Sequence, residues 1–208
     1  MTDSTTSESS KTIVVGIVLY PDAEELDWAG PYEVFSMAAL GQDQMQVVTI
    51  AQSKDPVRCS KGLRVLPDHS FEDAPALDVV VVPGGAGSRS EMENPTLLAW
   101  LQEIAPACSW VTSVCTGSMI LTKAGLTKGC QITTHWGCIE ELRKHAVDSE
   151  VLERIRYVRD GRLVTSAGVS AGIDMSLWVV GQMFSPEHAR NTQRMMEYDP
   201  APPYSAAV

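Results

Sequence analysis

The 208-residue sequence has no basic run, no apolar stretch long enough to cross a bilayer, no C-x-x-C pair and no internal repeat. Each absence removes a class of function. Binding to nucleic acid or to an anionic membrane depends on Lys and Arg that neutralise phosphate. Here 16 Lys and Arg face 26 Asp and Glu, for a net charge of −10, so neither partner is expected. Structural zinc needs Cys or His ligands at close spacing, and none occurs, so no metal is expected. The five cysteines, Cys59, Cys108, Cys115, Cys130 and Cys138, are odd in number and suit free thiols in a reducing compartment. The N-terminus, Met1 to Ser10, is polar and acidic with no apolar signal core. The expectation is a cytoplasmic protein with a disordered tail over residues 1–10 and a single domain over 11–208.

With 44% hydrophobic and 20% charged residues, the chain can bury a full core. Lys11 to Tyr20 reads KTIVVGIVLY, a β-branched run suited to a strand buried on both faces. Val47 to Ala51, Leu77 to Val82 and Trp110 to Val114 follow as further strands, and residues 56–75 suggest a small hairpin. Between the strands lie helical segments. Gly30-Pro31 predicts one helix start, with Pro31 at the first helical position and Asp27 in the loop before it. Asn94-Pro95 predicts another. Cys130 to Thr134 reads as a short strand. Asp160-Gly161 predicts a hairpin, Gly168 and Gly172 bracket a turn, Ile173 to Phe184 is a core-facing helix, and Ser185-Pro186 caps a last one. Alternating strands and helices imply an α/β fold with a mainly parallel central sheet and helices on both faces.

In such a sheet, functional groups gather at the carboxyl ends of the strands. Asp27, Pro83-Gly84-Gly85 and Cys115 all fall there. Cys115 ends a strand, and the small-residue turn Thr116-Gly117-Ser118 opens a helix, which is the layout of a nucleophile elbow. A thiol at a helix's positive end is expected to favour the thiolate. The competing possibility is that Cys115 is a small buried hydrophobe, as many free cysteines are.

Three blocks, Glu24-Glu25-Leu26-Asp27-Trp28-Ala29-Gly30-Pro31, Val82-Pro83-Gly84-Gly85 and Val114-Cys115-Thr116-Gly117-Ser118, resemble the DJ-1/ThiJ/PfpI superfamily from about residue 12 onward. Thr133-Thr134-His135-Trp136, Ala171-Gly172-Ile173-Asp174 and the ending from Glu197 to Pro203 are similar to its isocyanide (isonitrile) hydratase branch. The resemblance implies a flavodoxin-like sandwich, usually a homodimer, with no cofactor. It implies hydration of a small-molecule isonitrile to an N-substituted formamide. Cys115 would be the nucleophile, Asp27 its acidic partner and Thr116 a further site residue.

The chemistry suits these residue types. A soft thiolate attacks an isonitrile carbon, and a carboxyl group delivers a proton to give a thioimidate, which water then hydrolyses. Asp27 has rivals in Glu24 and Glu25, and an Asp before a helix is commonly only a cap. The backbone amides of Gly84 and Gly85 either stabilise developing charge at the substrate or serve a tight turn. Trp28 and Trp136 either line an apolar pocket or pack in the core. His135, at the end of the next strand, either deprotonates Cys115 in a Cys–His arrangement or touches the site in a structural hydrogen-bonding role, the second being the expectation, and His69, His145 and His188 read as surface residues. Thr116 stands where protease- and glyoxalase-like relatives carry a His, which weakens a glyoxalase- or amidase-like alternative. A ligand- or redox-sensing module is the other alternative, since an exposed low-pKa thiol oxidises readily. No basic helical tail precedes Val208, so DNA regulation by this polypeptide is not expected.

Overall fold

A computed structural model describes residues 12–40 and 45–200. The expected tail over residues 1–10 lies outside the described residues, as does the ending beyond Pro200. The chain order is β1 (Ile13–Val18), α1 (Glu25–Ala38), β2 (Met45–Ala51), β3 (Val57–Arg58), β4 (Arg64–Val65), β5 (His69–Ser70), β6 (Val79–Val82), α2 (Ser88–Glu91), α3 (Pro95–Ile104), β7 (Trp110–Val114), α4 (Gly117–Lys123), β8 (Gln131–Ile132), α5 (Ile139–His145), β9 (Glu150–Val151), β10 (Tyr157–Asp160), β11 (Leu163–Ser166), α6 (Ala171–Met183) and α7 (Pro186–Met195).

Seven strands form the central sheet in the order β10-β11-β7-β6-β1-β2-β5. Every pairing in it is parallel except the β10–β11 hairpin. The apolar runs become the central strands because helices cover both faces: α1, α6 and α7 pack on one another, and α4 packs with α2, α3 and α5. Val79 to Val82 are all fully buried. Burial of side chains like these contributes about 1.5–3 kcal/mol each against the entropy of ordering the chain. Among the described residues, no helix is long and apolar enough to cross a membrane.

Several local expectations match the backbone. The 56–75 excursion contains the antiparallel β3–β4 hairpin. Asn94 caps α3 through its side chain, accepting from the Thr96 and Leu97 amides at 3.1 and 3.4 Å. Ser185 caps α7 by accepting from His188 N at 3.1 Å.

Three expectations are corrected. First, α1 starts at Glu25, so Pro31 lies inside the helix and Asp27 in its first turn rather than in a loop. An interior proline costs about 3 kcal/mol. Buried Trp28, Pro31, Val34 and Phe35 on the same helix offset that cost, and the acidic Glu25 and Asp27 suit its positive end. Second, the Cys130–Thr134 strand shrinks to β8, which pairs with β9 in a separate two-stranded ribbon. Third, α6 begins at Ala171, so Gly172 is helical and the turn belongs to Val169 at φ +50°.

Candidate active site

The carboxyl ends of β1, β6 and β7 meet at one point. Cys115 follows β7 with φ +54°, a left-handed conformation that is rare for a residue with a side chain. Hydrogen bonds on both sides hold it there. Its N–H donates to the Ser166 and Ala167 carbonyls at 3.1 and 3.2 Å. Its own carbonyl accepts from Thr134 Oγ1 at 2.8 Å and Ser118 Oγ at 3.1 Å. The next turn packs against the end of β6 so closely that a Cβ on Gly117 would lie 2.1 Å from the Val82 carbonyl oxygen. The sharp strand-to-helix turn therefore has the strained geometry of a nucleophile elbow.

Asp27 is fully buried, and one of its oxygens accepts from Gly84 N at 3.0 Å. Its other oxygen has no partner within hydrogen-bond geometry. Burial pushes the Asp27 pKa up to about 7; the Gly84 amide opposes that rise, the nearby Glu24 charge adds to it, and the neighbouring Cys115 thiol and Val169 backbone oppose it more weakly. Rivals Glu24 and Glu25 are engaged with Lys61 instead. Glu24 pairs with Lys61 Nζ at 2.6 Å, and Glu25 accepts from Lys61 N at 2.6 Å.

Cys115 is 8% exposed, so it reaches the surface without being open to it. Burial, then the charge on Asp27, pushes its thiol up to about 12, while the Thr116 N–H and hydroxyl pull it down. The expected low-pKa thiolate is therefore corrected. A helix terminus contributes about 0.3–2 kcal/mol to a charge. Removing a thiolate from water shifts its pKa by as much as several units, which is the larger effect. With both groups raised, the pair carries about one negative charge above neutral pH, and a single proton is shared between carboxyl and sulfur.

Gly84 and Gly85 are corrected in role. Their N–H groups are spent inside the protein: Gly84 N on Asp27, and Gly85 N on Thr116 Oγ1 at 3.0 Å. Gly84 must be glycine because a Cβ there would sit 2.5 Å from Thr116 N and 2.8 Å from Asp27 Oδ2. The loop is further tied to the segment after β1, where Tyr20 donates its phenol to Pro83 O at 2.6 Å and Glu24 N donates to Gly84 O at 2.9 Å. Burial, then the Asp27 charge, holds the Tyr20 phenol well above its ordinary pKa, which keeps it a donor.

Trp28 is a buried core aromatic rather than a pocket wall. His135 accepts from Gly137 N at 3.1 Å through Nδ1, capping the 3-10 turn Trp136–Cys138. Its ring lies against Gly168, where a Cβ would meet it at 2.0 Å. His188, expected at the surface, is half-buried with Nε2 2.9 Å from Ala38 O. Trp136 is 82% exposed. With Ile139, Arg154 and Ile155, it borders a cavity of about 430 Å³ that also touches Thr134 and Ala167, the residues that hold the Cys115 backbone.

Sequence reasoning missed Ser88, which is fully buried and lies 2.8 Å from Thr116 Oγ1. It also missed Tyr20 and Arg89. Their one signal was position: Tyr20 ends the first strand run, and Ser88-Arg89 follow the Gly84-Gly85 turn.

The fold and this constellation define an α/β protein with a thiol on a nucleophile elbow beside a buried carboxyl. Residues 13–182 match the model of the DJ-1/PfpI family, and the chain belongs to that family. It is 39% identical over 192 residues to isonitrile hydratase of Pseudomonas putida, covering 92% of this chain and 81% of that one. It is 29% identical over 179 residues to the Parkinson disease protein 7 homolog of Danio rerio, covering 83% of this chain and 90% of that one. Among solved structures it resembles a ThiJ/PfpI family protein from Pseudomonas syringae, with a TM-score of 0.85, 31% identity, and coverage of 100% of this chain and 86% of that one.

Proposed function

We propose that this protein hydrates isonitriles to N-substituted formamides, with Cys115 as nucleophile and Asp27 as acid and base. The observation that carries this reading is the fully buried Asp27 carboxyl, raised to about 7 and close enough to the Cys115 thiol for each to act on the other's charge. The similarity to an isonitrile hydratase supports the choice of substrate class.

Asp27 as carboxylate takes the thiol proton, and the sulfur attacks the terminal carbon of R–N≡C. The carbanion that forms at that carbon collects the proton from Asp27, giving the thioimidate R–N=CH–S–Cys115. Water adds to the same carbon. Asp27 accepts a proton from the water and passes it to nitrogen. The tetrahedral adduct then expels the sulfur, and its hydroxyl proton returns to the dyad as R–NH–CHO departs. One acid–base group serves both halves because its pKa lies near neutrality. Thr116, the next residue, lies near enough to the sulfur to favour its charged form. The cavity beside Thr134 and Ala167, lined by Trp136, Ile139 and Ile155 together with Glu153, Arg154 and Arg156, takes the R group in this proposal. A homodimer in the cytoplasm belongs to the same proposal.

Two observations weigh against the alternatives. A thiol raised by burial and only 8% exposed is poorly placed for a redox sensor. Thr116, not His, follows the nucleophile, so a glyoxalase-like site would lack a base there. The test is formamide formation from alkyl and aryl isonitriles by wild type and Cys115→Ser, with mass spectrometry for a thioimidate on Cys115. Methylglyoxal conversion to lactate without formamide production would sink the proposal.

A further inference from the structure

Residues at the carboxyl ends of β1, β2 and β5, three neighbouring parallel strands, line another cavity of about 300 Å³. A crevice at that end of a parallel sheet is the usual place for a small ligand, and the volume lies at the lower end of the range for such sites. Its floor is apolar. Leu19, Tyr20, Ala51 and Val57 are all buried, and Phe71 beside them stacks on Trp100 with ring centroids 4.4 Å apart. Its charged wall has one sign: half-buried Glu91 and exposed Asp55 line the cavity, and no Lys, Arg or His does. Among the described residues, neither carboxylate has a cationic partner. Glu91 accepts from Asn94 Nδ2 at 2.7 Å, and Asp55 accepts from Ser53 Oγ at 3.0 Å. The bases next to them in sequence are engaged elsewhere, Lys54 with Asp73 and Arg89 with Glu141. Asn94 fixes the wall in place. Its Nδ2 also donates to Gln52 Oε1 at 2.9 Å, while its Oδ1 caps α3, so Glu91 is tied to the loop after β2.

We propose that this cavity binds an organic cation, an ammonium group carried on an apolar or aromatic body. The body lies on Tyr20, Val57 and Phe71, and the ammonium lies at Glu91 and Asp55. Two uncompensated carboxylates repel an anion and gain nothing from a neutral ligand, so the wall selects by charge. A metal ion of the hard kind needs several oxygen ligands, which a hydrocarbon floor does not supply. An organic cation uses both parts of the cavity, and it gains further from the aromatic rings beside it. The site shares no lining residue with the cavity beside Thr134 and Ala167. Its link to the active-site scaffold is Tyr20, whose phenol holds Pro83 O.

The inference is independent of the hydratase reading, and its test uses no isonitrile, so either can fail without the other. Calorimetric titrations of the full chain compare 2-phenylethylammonium with neutral 2-phenylethanol, which has nearly the same size. They are run on wild type, Asp55→Asn, Glu91→Gln and the double variant. The amide side chains keep an oxygen for Ser53 and for Asn94, so the wall is preserved. At about fivefold per partly exposed ion pair, the ammonium is expected to bind wild type roughly twentyfold tighter than the alcohol, at one site per chain. Each single variant is expected to lose about fivefold for the ammonium and nothing for the alcohol, and the double variant to bind the two alike. Absence of any preference for the ammonium in wild type overturns the proposal. So does a preference that survives in the double variant, because that is attraction to the net charge of −10 rather than binding in the cavity.

Discussion

Asp27→Asn should make the protein more stable and less active, and the stability gain should depend on pH. The folded protein holds the Asp27 carboxyl at about 7 against an ordinary value of 3.8, because burial disfavours its charged form. An acid whose folded pKa is raised binds more protons folded than unfolded between those two values. Stability therefore falls as pH rises through that window. Below it, both states are protonated and Asp27 has no such effect. Above about pH 7, the full penalty of burying the ion is present, on the order of 4 kcal/mol. Asparagine carries no charge at any of these pH values and keeps an oxygen for the Gly84 amide. The stability difference between variant and wild type should grow by roughly 3 kcal/mol between pH 5 and pH 8. Urea unfolding at both pH values measures it. On the same preparations, formamide production should drop by about 10²–10⁴-fold, the usual contribution of a general acid–base group. A stability difference that does not change with pH would refute the raised carboxyl. Full turnover in the variant would refute its role.

Three further outcomes follow from the same geometry. The pH profile of kcat/KM for an isonitrile should rise through about pH 7, because the dyad must lose one proton before sulfur can attack, and this limb should vanish in Asp27→Asn. Gly84→Ala places a Cβ 2.5 Å from Thr116 N and 2.8 Å from Asp27 Oδ2, so it should cost about 1–3 kcal/mol in chemical denaturation, together with most of the turnover. Trp136→Ala removes a side chain that is 82% exposed, so stability should stay within about 0.5 kcal/mol while KM for isonitriles with bulky R groups rises.

Much of the fold was readable because its physics is local. Strands buried on both faces read as unbroken apolar runs, and β1 and β6 were placed from their text alone. Asn94 and Ser185 announced their helices because a cap acts within three residues. Reading failed where tertiary packing overrules a local preference. Pro31 has the signature of a helix start, yet the core contacts of Trp28, Val34 and Phe35 carry the helix back to Glu25. That shift moved Asp27 from loop to helix without moving it away from Gly84.

The site divides along the same line. Cys115, Asp27, Thr116 and the Gly84-Gly85 turn come together because parallel strands bring their carboxyl ends to one edge of the sheet, and the parallel sense is a sequence-level inference, while the strand order is not. Ser88 and Arg89 sit in Ser88-Arg89-Ser90-Glu91, which reads as any polar turn, and only the 2.8 Å approach of Ser88 to Thr116 gives that turn meaning. The protonation of the nucleophile shows what local reading leaves out. A thiol before a helix suggests a free thiolate, but α4 has only seven residues, and the sulfur is nearly buried beside a carboxyl. Desolvation outweighs the helix there, so in the proposed mechanism the thiolate forms by handing its proton to Asp27. That same proton is what the isonitrile carbon requires next, so a buried, raised pair suits the proposed hydration better than the exposed thiolate that the sequence suggested.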